Sequence, residues 1–295
     1  MPAPDPVSDP GAERGGGPVV PRCAVLGDPV AHSLSPTLHR AGYAALGLSA
    51  SYDAVRVPAG GLAAVLAGLG PDWRGLSVTA PLKREALELA ASSTDRARLA
   101  GGANTLLRID GTDWAADNTD LPGAVAAIRE RYDGPVHTAV ILGAGATAAS
   151  TGLALAELGA RRIVVAARDA GRATPTLAAI AAHPGRPEVT HADLAGCDRG
   201  AAEVVVSTIP AAAQEPALVA RFADAPVLFE VLYDPWPTPL AAAAGGALVS
   251  GLDLLLHQAY LQFEAFTGRA APRAAMRAAG ESALAERAAG RAAAQ

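Results

Sequence analysis

The chain has 295 residues, of which 51% are apolar and 18% charged, a balance that excludes a disordered or fibrous class. Its 24 Lys and Arg against 29 Asp and Glu give a net charge of −5, which leaves no basic surplus for nucleic-acid phosphates. The only two cysteines, Cys23 and Cys197, lie far apart and outside any Cys/His cluster, which argues against a disulfide framework or a zinc site and suits a reducing cytoplasm.

At ~150 residues per domain, the length suggests about two domains. Residues 1–19 are rich in Pro and Gly, lack an apolar core, and read as a disordered tail rather than a signal peptide. Arg22 to Leu26 is a predicted strand ending at Gly27. Pro36 to Leu46 follows as a helix with Ser35 as its N-cap. Ser51 to Val57 is a strand, Gly61 to Leu69 a helix, Leu76 to Thr79 a strand and Lys83 to Ala91 a helix opened by Pro81. Thr105 to Ile109 and Thr112 to Ala116 flank Gly111 as a hairpin-like pair. This alternation of strand and helix predicts an α/β layer with a mostly parallel sheet.

Leu121 to Tyr132 is a helix that Asp133-Gly134-Pro135 breaks. A second series follows: strand Thr138 to Leu142, helix Thr147 to Leu158, strand Arg162 to Ala166, helix Arg172 to Ala182, and strands Glu203 to Val206 and Val227 to Val231. Gly245, Gly246, Gly251 and Asp253 interrupt the apolar run from Leu240 to Leu256, so no membrane span is expected. Gly251 to Phe266 and Pro272 to Ala294 are the last two helices. The expected division is 20–119 as a first unit completed by 251–295, and 120–250 as a second.

Within Val140 to Ala148, an apolar strand enters a GxGxxA turn and then a helix. Gly143 permits the tight turn, Gly145 lets backbone approach a pyrophosphate, and small Ala148 allows close helix–strand packing. The N–H groups that open the helix face the anion, so the segment reads as a dinucleotide site. The next strand ends in Arg168-Asp169, with Arg172 shortly after. A carboxylate there suits the ribose of NAD, whereas arginines suit the 2′-phosphate of NADP. Two arginines against one carboxylate favour NADP.

Lys83 is the only lysine of the chain, and Asn104 and Asn118 are its only asparagines. A surface lysine exchanges readily for arginine, but a lysine whose proton moves does not. Thr79 and Lys83 stand at a strand end and the following helix start, where open α/β sheets bind ligands. Ser33 and Ser35 form a hydroxyl pair at a helix mouth, suited to a carboxylate. Ordinary capping accounts for Ser35 but not for Ser33. Asn104 precedes a strand and Asp117 follows one, positions where turn chemistry alone also favours Asn and Asp. The six histidines show no ligand spacing, so no metal is expected.

The segments AHSLSP, VTAPLK, GGANT, ADNTD, GAGAT, LYDPWPTPL and GLDLLLHQA occur in the order found in the shikimate dehydrogenase family, which the chain resembles from Cys23 to about Phe266. The resemblance implies two α/β domains, a Rossmann-type NADP-binding domain and a mostly parallel-sheet substrate domain, with the active site in the cleft between them. It implies NADPH-dependent reduction of 3-dehydroshikimate to shikimate in aromatic amino acid biosynthesis. It makes Lys83 and Asp117 the catalytic pair and Ser33, Ser35, Thr79, Asn104, Tyr233 and Gln258 substrate contacts. Gly143, Ala144, Gly145, Ala146, Thr147, Arg168 and Arg172 match cofactor loops. Val231 and Gly251 match positions near the nicotinamide, and Asp95 a lesser cofactor-side position.

The chain departs from the family's usual asparagines at Ser77 and Ala167, and from its usual Asn-Ala-Thr-Ser at Val206 to Ile209. The expected partner is a small-molecule substrate, with no nucleic acid or membrane, on a monomer or homodimer. An NAD-preferring quinate/shikimate dehydrogenase is one alternative, supported by Asp169. A catalytically silent dinucleotide-sensing protein is the alternative of another class, and it predicts cofactor binding without turnover.

Overall fold

Among the described residues, twelve short strands sort into two six-stranded sheets, and side-chain alternation along the central strands builds a core on both faces of each. The computed structural model describes residues 21–293; the reading of residues 1–19 as a disordered tail lies outside them. The first half runs β1 (Arg22–Gly27), α1 (Ser35–Ala45), β2 (Ser51–Arg56), α2 (Leu62–Gly68), β3 (Trp73–Val78), α3 (Lys83–Leu89), β4 (Ser92–Ser93), α4 (Asp95–Ala100), β5 (Thr105–Arg108), β6 (Trp114–Asp117) and α5 (Asp120–Arg131). Its sheet has the order β2-β1-β3-β5-β6-β4. The hairpin β5–β6 and its pairing with β3 are antiparallel, and the remaining pairs are parallel. On β1, Cys23 and Val25 pack on one face while Ala24 and Leu26 pack on the other, as the two-residue period requires.

The second half runs β7 (Thr138–Leu142), α6 (Ala146–Glu157), β8 (Arg162–Ala166), α7 (Ala170–Ala181), β9 (Glu188–Ala192), β10 (Val204–Ser207), α8 (Pro216–Phe222), β11 (Val227–Glu230), α9 (Pro239–Ala243), β12 (Ala247–Val249), α10 (Gly251–Thr267) and α11 (Arg273–Ala293). Its sheet, β12-β11-β10-β7-β8-β9, is parallel throughout. Both faces are covered, so the central strands are continuous apolar runs: Ala139 and Ile141 face one cluster, Val140 and Leu142 the other. The fold is α/β, as expected.

Helices α10 and α11 pack back on the first sheet. Leu256, Tyr260, Phe263, Phe266 and Met276 share a cluster with Cys23, Val25, Leu38 and Tyr52. Glycines set how closely these layers approach. A Cβ on Gly75 would lie 2.1 Å from the Phe266 ring, and one on Gly251 would lie 2.3 Å from the Val231 carbonyl oxygen. A capping box of Ser250 and Asp253 starts α10 at that contact.

Two local readings are corrected. Ser35 does not cap α1; it is the first helical residue, and its N–H is accepted by Ser33 Oγ at 3.3 Å. The cap of α7 is Asp169, whose carboxylate accepts the Arg172 N–H at 3.1 Å, so that helix begins at Ala170. The apolar run Leu240 to Leu256 is split into α9, β12 and the start of α10, and among the described residues no helix is long and apolar enough to cross a membrane.

Candidate active site

The C-terminal ends of β1 and β3 face the mouth of α6 across a cleft of about 410 Å³. Lys83 opens α3 directly after the β3 loop, and its side chain is 12% exposed. Its Nζ donates to Asp120 Oδ2 at 2.5 Å, and the Asp120 side chain is 9% exposed. An ammonium and a carboxylate this close and this sheltered form a charge-assisted pair held in one geometry, an arrangement suited to acid–base chemistry.

Asp117 is not the partner of Lys83, and that expectation is corrected here. Trp114 and Ala116 point into the core, so the strand period turns Asp117 to the opposite side of β6. There it accepts hydrogen bonds from Thr94 Oγ1 and Arg96 Nε, each at 2.7 Å, and from the Asn118 N–H. Burial raises the Asp117 pKa, but the hydrogen bonds and charge of Arg96, with those of Thr94 and Asn118, outweigh it and hold the carboxyl below its ordinary range. Asp120, three residues on, begins α5 and is turned inward by that helix. The sequence ADNTD offers two carboxylates, and the alternation of Trp-Ala-Ala-Asp is the signal that separates them.

Asn104 is the keystone beside the pair. Its Oδ1 accepts the Thr119 N–H at 2.8 Å, and its Nδ2 donates to Asp120 Oδ1 at 2.9 Å and to Gln258 Oε1 at 3.3 Å. Ser33, Ser35, Thr79, Tyr233 and Gln258 line the same cleft, together with Val231 and Gly251. The Tyr233 phenol is pushed up by burial, with the Leu34 backbone and Ser33 hydroxyl as its neighbours. It therefore stays a neutral hydroxyl.

A second groove of about 490 Å³ runs along the opening of α6, lined by Ala144, Gly145, Ala146, Thr147 and Arg172. Gly143 makes the turn at φ +105°, and a Cβ on Gly145 would project into open space. No side chain caps α6, so its first N–H groups face the groove. These features fit the diphosphate of a dinucleotide. Thr79, Lys83, Thr147 and Thr208 line both cavities, so the groove meets the cleft at Lys83.

Three expected cofactor residues line neither cavity: Gly143, which makes the turn, Asp95 and Arg168. Asp95 opens α4 with its side chain 98% exposed and paired to Arg98. Arg168 is exposed beyond the end of β8 and lines neither cavity. Asp169, the carboxylate that favoured NAD, is engaged by the N–H of Arg172 and lies 3.7 Å from its guanidinium.

Besides Asp120, the sequence reading missed Gln262, Thr208 and Glu230. Glu230 is fully buried, and its carboxylate accepts from the Leu232 N–H, Gln214 Nε2 and Thr238 Oγ1. Burial raises its pKa despite those bonds. It ties down the segment that carries Val231 and Tyr233 into the cleft. Among the described residues no cluster of His, Cys, Asp and Glu is arranged to hold a metal ion.

Known proteins carry the same architecture. Residues 25–106 match the shikimate dehydrogenase substrate binding domain, and residues 251–279 match the shikimate 5'-dehydrogenase C-terminal domain. The chain is 38% identical over 264 residues to a shikimate dehydrogenase (NADP(+)) of Methylobacterium radiotolerans, covering 84% of this chain and 92% of that one. The crystal structure of Mycobacterium tuberculosis shikimate dehydrogenase is similar at 44% identity and a TM-score of 0.80, over 89% of this chain and 99% of that one. A quinate dehydrogenase from Corynebacterium glutamicum, solved in complex with NAD, is similar at 27% identity and a TM-score of 0.81, over 89% and 99% of the two chains. The chain belongs to the shikimate dehydrogenase family.

Proposed function

We propose that the protein is an NADP-dependent shikimate dehydrogenase, which interconverts 3-dehydroshikimate and shikimate in the route to chorismate and the aromatic amino acids. The observation that carries this reading is the position of Lys83, at the one place where the dinucleotide groove and the substrate cleft share a wall.

The Gly143-to-Thr147 turn would hold the diphosphate, and Arg168 and Arg172 would hold the 2′-phosphate. When bound, the nicotinamide supplies the hydride that reduces the substrate ketone. Lys83 Nζ gives the matching proton to the ketone oxygen as charge develops on it, and Asp120 holds the ammonium in place for that transfer. Ser33 and Ser35 offer hydroxyls to the substrate carboxylate, joined by the Tyr233 phenol. Asn104, Thr79 and Gln258 read the ring hydroxyls, and a missing hydroxyl would leave these sheltered groups unpaired. Asp117 and Asp95 take no part in this scheme.

The engagement of Asp169 by Arg172 supports NADP over NAD, because the carboxylate that would bind a ribose is occupied in starting α7. Initial rates with shikimate and with quinate, each with NADP+ and NAD+, test the reading. Turnover is expected to be fastest with shikimate and NADP+. A preference for quinate and NAD+ would replace it with the alternative activity, and cofactor binding without turnover would make the chain a sensor.

A further inference from the structure

A run of buried polar side chains, of which Ser77, Asn104 and Gln262 reach the wall of the cleft, has donors and acceptors that its backbone contacts assign. Two backbone groups anchor it. The Asn104 carbonyl oxygen only accepts, and Gln262 meets it at 2.9 Å, so Gln262 presents its Nε2 there. Gln262 Oε1 therefore faces Ser77, whose hydroxyl donates at 2.6 Å, and Tyr52 OH in turn donates to Ser77 Oγ at 2.5 Å. The second Nε2 hydrogen of Gln262 goes to Thr105 Oγ1 at 2.9 Å, and Thr105 passes its own hydrogen to Asn104 Oδ1 at 2.8 Å. The Thr119 N–H only donates, and it meets the same Asn104 Oδ1 at 2.8 Å. Asn104 Nδ2 is thereby turned to Asp120 Oδ1, and Asp120 Oδ2 holds Lys83.

We propose that Thr105, backed by Gln262, is a positioning residue for the reaction: together with the Thr119 N–H, it holds the Asn104 amide in the one orientation that donates to Asp120. This inference rests on the assignment of Lys83 and Asp120 as the acid–base pair. A reversed Asn104 would present its carbonyl to the Asp120 carboxylate and would remove a donor from it, shifting the anion that fixes Lys83. Thr105 is 2% exposed and lines neither cavity, so it acts through Asn104 rather than by touching substrate. The chain Tyr52–Ser77–Gln262–Thr105 has no spare hydrogen, so each member is held by the next.

Two substitutions at Thr105 separate this role from packing. Thr105→Val keeps the volume and removes the hydroxyl, whereas Thr105→Ser keeps the hydroxyl and removes a methyl from a buried site. If the hydrogen bond matters, Val lowers kcat about five- to tenfold with KM for shikimate changed less than about threefold, and Ser stays within about twofold of wild type despite a lower Tm. Val within twofold of wild type, or Ser falling as far as Val, would overturn the proposal. If Val fails to fold, Thr105→Ala removes the same hydroxyl with less bulk, and a kcat within twofold of wild type there would overturn it equally. Wild-type turnover of shikimate is measured beside the variants. Its absence would sink the reading of the function, whereas normal wild-type turnover with an unaffected Val variant would sink this inference alone.

Discussion

Lys83 Nζ lies 2.5 Å from Asp120 Oδ2, while Asp117, three residues earlier, is held by Arg96 on the far side of β6. The two carboxylates of one short segment thus have separate partners, and substitution distinguishes them. Asp120→Asn is expected to lower kcat by at least ~10²-fold, the usual scale for a positioned acid–base group. Asp117→Asn is expected to leave kcat within about threefold and to cost about 1 kcal/mol of stability, the scale of a partly exposed ion pair. Steady-state rates and thermal melts of both variants check this. Because the Asp117 pKa is depressed on folding, its contribution is present above the unfolded carboxylate pKa and is lost as the pH falls through the lower folded value.

Removal of both Arg168 and Arg172, as a double change to Ala, is expected to raise KM for NADP+ about tenfold and to leave KM for NAD+ nearly unchanged. Only NADP+ carries the 2′-phosphate that two guanidinium groups can grip. Equal losses for the two cofactors would place the phosphate elsewhere. Arg172→Ala alone is expected to account for most of the effect, since Arg172 lines the groove and Arg168 does not.

Much of this site was legible in the chain because the chemistry-bearing residues sit at element boundaries. Lys83 follows a strand and opens a helix, and Gly143 to Thr147 join an apolar strand to the start of an apolar helix. Such boundaries show as changes of period. What escaped was direction within an element. Asp117 and Asp120 both looked suitable in a polar turn, and only the face of β6 and the first turn of α5 separate them. The capping role of Asp169 and the contact of Ser33 Oγ with the Ser35 N–H also escaped, because each depends on where the first helical residue falls. β12 has three residues inside a longer apolar run, so its pairing with β11, not its composition, defines it.

His39 gives the fold a dependence on mild acid. It is fully buried, stacks on Tyr52 with centroids 4.1 Å apart, and among the described residues neither ring nitrogen has a hydrogen-bond partner. Desolvation pushes its pKa down to about 3 from the ordinary 6.5. The unfolded chain then binds a proton that the folded chain refuses, so between those two values stability falls by about 1.4 kcal/mol for each unit of acidification. Its contribution is complete above the unfolded value and is lost on the way down. Denaturant melts from pH 7 to pH 4 are expected to show this slope, and His39→Leu is expected to flatten it. An equal slope in the variant would assign the acid sensitivity to other groups.

The central claim is that Lys83 delivers the proton at the meeting point of cofactor groove and substrate cleft. It is tested most directly by following the nicotinamide absorbance after shikimate is added to NADP+, with wild type and Lys83→Ala side by side. The expected result is steady NADPH formation by wild type and a loss of at least ~10²-fold in the variant, with both proteins folded. Near-native turnover by Lys83→Ala would contradict the account, as would no NADPH formation by the wild-type protein.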